Sequence, residues 1–156
     1  MASLTNKAGE FSIGIGLGGG SMWDALARKY GIELIEKDGT FIARKGSLEV
    51  ISQIVDDKVV VRVNMLPYIA VIQPTKDGVV NTVYLGVLPI AQVKYRVEPQ
   101  GFVDKIKCIA KGIAIILVMV ITALILTIVN PGFLVEAIFL LLVGTLIVIL
   151  LCMALG

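Results

Sequence analysis

The sequence predicts an α+β fold in which a small, mostly antiparallel β N-terminal domain precedes a C-terminal two-helix transmembrane hairpin. Residues 112–156 contain one charged side chain, Glu136, and are otherwise almost wholly aliphatic. Runs at about 109–129 and 133–155 each reach the roughly 20 residues that a helix needs to cross a bilayer core. The earlier residues alternate apolar and polar side chains between turn signals, as antiparallel strands do.

Four regions follow from these patterns. Residues 1–20 are a Gly-rich N-terminal arm, and 21–98 are the small β-rich domain with one N-terminal helix. Residues 99–107 are a juxtamembrane linker, and 108–156 are the hairpin. Ordering so many glycines costs backbone entropy, so the arm is expected to be extended or a loop.

A helix is predicted over residues 21–30. Ser21 is its expected N-cap, Asp24 its capping-box acid, and Gly31 its stop. One apolar face is expected from residues at helical spacing: Trp23, Leu26, Ala27 and Tyr30.

Five or six strands are predicted after this helix. Asp38-Gly39 is a tight-hairpin signal between the first two, and Thr75–Gly78 marks another turn. Residues 47–55 fit a helix by their spacing and a strand by their β-branched content. The predicted strands are 32–36, 40–44, 59–66, 68–72, 79–87 and 91–97.

The hairpin is predicted to turn at Asn130, Pro131 and Gly132. Three lysines lie where the chain enters the first span: Lys105, Lys107 and Lys111. The loop at the far end of the hairpin has none, so the positive-inside tendency places the N-terminal domain and the C-terminus in the cytoplasm. The protein is therefore expected to be an integral membrane protein with two spans.

Glu136 is the only charge within the hairpin. Asn130 and Pro131 suit the start of the second helix, which places Glu136 about 1.5 turns inside it. There the carboxylate can reach the membrane interface and favour the helix N-terminus. The alternative is an ion-coupling site, since a carboxylate in a bilayer is costly without a function.

Cys108 and Cys152 lie about equally far from the predicted turn, on opposite arms, and should share one depth. A cytoplasmic location would keep them reduced, so two small apolar fillers are expected and a disulfide is not. Lipidation and redox pairing remain alternatives.

Composition narrows the classes of function. The chain has no histidine, which removes the commonest general base and zinc ligand. Residues 1–107 carry 13 Lys/Arg and 11 Asp/Glu without blocks, which argues against a nucleic-acid partner. We predict no catalytic residue, no metal site and no cofactor.

Two short segments resemble known families. Gly14, Gly16 and Gly19 satisfy G-x-G-x-x-G before the predicted helix, and Glu36 ends the next strand. This segment resembles the start of the flavin- and nicotinamide-binding Rossmann families, which implies a pyrophosphate at the glycines and a ribose hydroxyl at Glu36. The short strand before Gly14 and the lack of a later strand–helix–strand unit favour a Gly-rich arm instead. Residues 21–31 look like the first helix of LysM glycan-binding modules, although any packed helix shows the same spacing.

The predicted function is a non-enzymatic structural or assembly subunit that attaches a small soluble domain to a bilayer. Its partners would be lipid and other protein subunits in an oligomeric complex. Candidate assemblies are a membrane-containing virus particle or a secretion, conjugation or respiratory complex. Two alternatives are a holin-like or ion-conducting hairpin oligomer and a nucleotide-binding or redox subunit that uses the glycine run.

Overall fold

The computed structural model describes residues 19–127 and 132–155. The predicted arm lies outside these residues except for its last two positions, so Gly14 and Gly16 are not described. Asn130 and Pro131 of the predicted hairpin turn also lie outside them.

The described chain has one helix, then strands, then three helices. Helix α1 is Gly19–Lys29. The strands are β1 (Glu33–Lys37), β2 (Thr40–Lys45), β3 (Leu48–Val55), β4 (Lys58–Val63), β5 (Tyr68–Pro74), β6 (Val79–Leu85) and β7 (Leu88–Tyr95). The last helices are α2 (Pro99–Asp104), α3 (Ile106–Thr127) and α4 (Phe133–Leu155).

The strands form one sheet in the order of the sequence, each antiparallel to the next. Two-residue loops explain the short connections. Asp38 and Gly39 have φ of 50° and 78°, and Gly86 opens the β6–β7 loop with φ of 65°. Positive φ at these positions matches the strand twist in tight hairpins. The sheet and the two long apolar helices after it confirm the predicted fold class.

Several predicted boundaries are wrong. Helix α1 begins at Gly19, so Ser21 lies inside it and is not its N-cap. Within residues 19–127 and 132–155 there are seven strands rather than five or six. Residues 47–55, which fitted either a helix or a strand, contain strand β3. Its alternate residues Leu48, Val50 and Ser52 are buried against the core. Within the predicted linker, a short helix, α2, ends at Asp104 before α3 begins.

One face of the sheet packs against the helices and forms the core. Its buried side chains include Phe41, Val50, Val61, Ile72 and Val83. Helix α3 crosses β2, β3 and β4, while α4 contacts β6 and β7. Helix α1 packs against α3 and also reaches α4, so α3 is enclosed by the sheet and two helices.

The other face of the sheet mixes aliphatic side chains with charged and polar ones. Alternation along the strands points the remaining side chains to it. Ile42, Ile51, Val60, Ile69 and Val71 are half-buried there, among their cross-strand neighbours. No helix within residues 19–127 and 132–155 covers this face.

Candidate functional site

The outward side of α4 is the most distinctive surface of the described chain. Val135 is 70% exposed and Phe139 is 65% exposed, and the same side continues through Val143, Ile147 and Leu150. The inward side holds equally apolar residues that pack against α3 and the sheet. A helix that is apolar all round normally lies within a protein core or a membrane.

Both α3 and α4 are long and apolar enough to cross a membrane, but they differ in burial. In the part of α3 that could span a membrane, 56% of the residues are buried inside the protein, against 33% in α4. Ile113, Leu117 and Ile121 of α3 are fully enclosed. Helix α3 therefore behaves as a core helix in this arrangement, whereas α4 has a free apolar side.

Polar side chains of the sheet hold α4 in place. The Tyr68 hydroxyl donates to the Leu134 carbonyl oxygen at 3.2 Å, and the Asn81 amide donates to that of Leu141 at 3.4 Å. The Tyr95 hydroxyl donates to the Leu142 carbonyl oxygen and accepts from Asn81 at 3.0 Å. Burial raises the pKa of Tyr95 to about 12, and the hydrogen bond from Asn81 opposes that rise.

A disulfide joins the start of α3 to the end of α4. Cys108 and Cys152 are bonded, with their Cα atoms 6.0 Å apart, which confirms that they share one level. The prediction of two unbonded fillers is wrong. The number of residues between each cysteine and the turn was enough to predict that the two lie at the same depth. Whether the two sulfur atoms face each other depends on how each helix is rotated about its axis, and packing sets that rotation. The Trp23 indole N–H points at both sulfurs, at 3.3 and 3.4 Å.

The three lysines expected at the membrane entry have different surroundings. The Lys111 side chain is 13% exposed, and its ammonium lies 3.3 Å from carboxylate oxygens of both Asp24 and Glu36. It therefore ties α1 and β1 to α3 instead of facing outward. Lys107 is exposed, and Lys105 lies at the break between α2 and α3. A role for these lysines at a membrane interface stays a prediction.

The described part of the predicted hairpin turn agrees with a helix start there. The Glu136 backbone N–H donates to the Gly132 carbonyl oxygen at 3.0 Å, and Phe133 begins α4. The Glu136 side chain is exposed in the first turn of α4. This position suits the predicted interaction with the helix N-terminus, and its contact with a membrane interface remains a prediction.

The Rossmann resemblance does not extend to the fold. Gly19 is the first residue of α1, and Glu36 lies in a strand that pairs antiparallel with β2. A dinucleotide site of that family needs parallel strands around a crossover helix. The Glu36 carboxylate is instead paired with Lys111.

The apolar face predicted for α1 is largely buried in the core. Trp23 and Ala27 are buried, whereas Tyr30 is exposed, contrary to expectation. A β-hairpin, β1–β2, follows α1 directly. The LysM likeness therefore ends with this one helix.

Sequence reasoning missed the residues that fix the helices on the sheet: Tyr68, Asn81, Tyr95 and Gly112. A buried amide within the apolar run of β6 was one available signal, because such a group needs a partner. The glycine within the aliphatic run of α3 was another.

The chain matches no family model, and no curated protein or solved structure shows significant similarity to it. Among the residues that the structure describes, no group of three or more His, Cys, Asp or Glu side chains is placed to hold a metal ion. The exposed apolar side of α4 is therefore the feature that best indicates a function.

Proposed function

We propose that this protein is a non-enzymatic membrane subunit that holds a β-sheet module at a lipid bilayer through α4. The observation that carries the proposal is the outward side of α4, which is apolar from Val135 to Leu150 and exposed in the folded chain. Large exposed apolar patches mark contacts with membranes or proteins. The binding strength of such a helix grows with the apolar area that it buries in lipid.

The packing of α3 constrains how the protein meets the bilayer. A sheet with open edges does not enter the hydrocarbon core, since its unpaired N–H and C=O groups have no partner there. The sheet runs alongside α3, so a full crossing by both helices requires α3 to leave the sheet. Contact through the outward side of α4 requires no such change, and we favour it.

We also propose that the protein is a subunit of a larger complex at the membrane. We include protein partners because the sheet face away from the helices carries aliphatic residues from β2 to β5, and no helix of the described residues covers it. Oligomerisation and the cytoplasmic placement of the N-terminal domain remain predictions.

Flotation with phosphatidylcholine vesicles tests the proposal. Val135→Asp puts a charge on the outward side of α4, and Val55→Asp makes the same change on an exposed strand residue away from it. A lost apolar contact and a charge near lipid should lower the vesicle-bound fraction of the first variant by roughly tenfold or more. The second should float like the unmodified protein.

Two outcomes contradict the proposal. One is unmodified protein that stays with the aqueous fractions. The other is an equal loss of flotation in both variants while circular dichroism shows both folded, because binding would then not depend on α4.

A further inference from the structure

A second apolar surface lies at the tip of the β6–β7 hairpin. Val87 is 96% exposed and Leu88 is 61% exposed, and Leu85 and Ile90 beside them are also exposed. Residues 78–93 contain no charged side chain. Hairpin loops usually carry Gly, Asn, Asp or Ser, so apart from Gly86 this tip lacks the usual polar residues.

The other end of the sheet shows the contrast within the same chain. In a meander, alternate turns lie at the same end. The β1–β2, β3–β4 and β5–β6 turns share one end, and all carry charges, including Asp38, Asp57 and Lys76. The β4–β5 turn lies at the tip's own end and exposes Met65. This end is therefore apolar on the β5–β7 side.

The tip lies near the beginning of α4. Leu85 is the cross-strand partner of Tyr68, and the Tyr68 hydroxyl donates to the Leu134 carbonyl oxygen at 3.2 Å. Leu134 and Val135 are exposed in the first turn of α4. The hairpin tip and the first turn of the outward side of α4 thus lie at the same end of the molecule.

From this juxtaposition we propose that the β6–β7 tip inserts its side chains into the same bilayer that α4 contacts. The inference rests on the proposed function, since it adds a second contact to the same membrane. Lipid fits the tip better than a protein partner, because the tip presents aliphatic side chains without a charge or amide to set an orientation. Insertion stays shallow, because the backbone groups of the loop need water or headgroups as partners.

The test places a fluorescent probe at the tip. Val87→Trp is compared with Asp57→Trp, which carries the same probe at the charged end; Trp23, buried in both, gives a common background. Full-length protein is bound to phosphatidylcholine vesicles that contain lipids brominated at defined acyl positions. The Trp at position 87 should be quenched by bromines near the headgroups, whereas the Trp at position 57 should stay accessible to aqueous iodide.

A loss-of-contact variant provides a second measurement. Leu88→Asp should lower vesicle affinity by roughly tenfold, the partition value of one buried Leu. Leu88 is exposed, so circular dichroism should show an unchanged fold.

The outcomes separate this inference from the proposed function. Protein that does not float overturns both. Protein that floats, while the Trp at position 87 remains open to iodide and unquenched by bromine, overturns only the tip insertion. Shielding from iodide in native membranes without quenching by brominated lipid would assign the tip to a protein contact and would also overturn it.

Discussion

Gly112 lies where α1, α3 and α4 meet. A Cβ atom at this position would come within 2.5 Å of the Trp23 ring and 2.7 Å of Val148. Both neighbours belong to other helices, and Trp23 is fully buried with its N–H directed at the disulfide. The missing side chain is therefore what lets the only tryptophan enter the space between α3 and α4.

Gly112→Ala should destabilise the fold. Overfilling a packed core typically costs about 1–3 kcal/mol, and here the added methyl meets a ring that has no free space. Gly144→Ala is the matched control, because its Cβ would lie 3.5 Å from Leu117, an ordinary contact. That variant should be unchanged or gain up to about 1 kcal/mol from helix propensity. Thermal unfolding followed by circular dichroism measures both, and similar melting temperatures for the two would contradict this account.

Helix α4 is positioned by hydrogen bonds as well as by apolar contact. Apolar attraction is not directional, whereas a hydrogen bond requires a particular donor, acceptor and angle. Tyr68, Asn81 and Tyr95 donate to three main-chain oxygens of α4, at different points along it. These bonds select one register of α4 on the sheet.

The buried phenol of Tyr95 predicts a pH dependence of this docking. Its pKa is about 12 in the folded chain, against 10.0 ordinarily. The unfolded chain therefore loses this proton first, and the contribution to stability, present in full below pH 10, is lost between about pH 10 and 12. The loss is of the order of 2–3 kcal/mol. In Tyr95→Phe, unfolding midpoints should fall less steeply over this range.

Tyr30→Phe is the control for this measurement, because it removes the same hydroxyl group from an exposed tyrosine. Equal slopes in the two variants would show that the Tyr95 phenol does not contribute to the decline.

For the molecule as a whole, the Cys108–Cys152 bond closes the helical hairpin at its base. Disulfides persist in oxidising compartments, so the predicted cytoplasmic placement of this end finds no support here. The bond spans 44 residues, and loop-closure entropy for that length corresponds to about 4 kcal/mol of stability.

Replacing both cysteines by serine should lower the unfolding midpoint by an amount that corresponds to about 4 kcal/mol. Dithiothreitol should lower the midpoint of the unmodified protein to nearly the same value and should leave the double variant unaffected. Alkylation of both thiols without any reductant, measured by mass spectrometry, would show instead that the bond is not maintained.

Local signals in the sequence explain what was predictable. Asp38-Gly39 fixed the first hairpin, and the bounds of α4 agree with the predicted second span because the turn before it is marked by Asn, Pro and Gly. The fit of α3 to the sheet was not predictable. A helix that is aliphatic on every side has no pattern to show which side faces a partner, and the partners of Lys111 lie 87 and 75 positions earlier in the chain.

The closed hairpin also has a mechanical consequence. A force that pulls on the chain from either side of the bridge passes from sulfur to sulfur, so the helices between the two cysteines carry no tension. Pulling would extend α1, the sheet and α2 but leave 44 residues of contour out of reach. At ~3.4 Å per residue, the fully stretched chain would be about 150 Å shorter than its reduced form. Traction from a neighbouring molecule would therefore separate the sheet from the helices before it could unravel them.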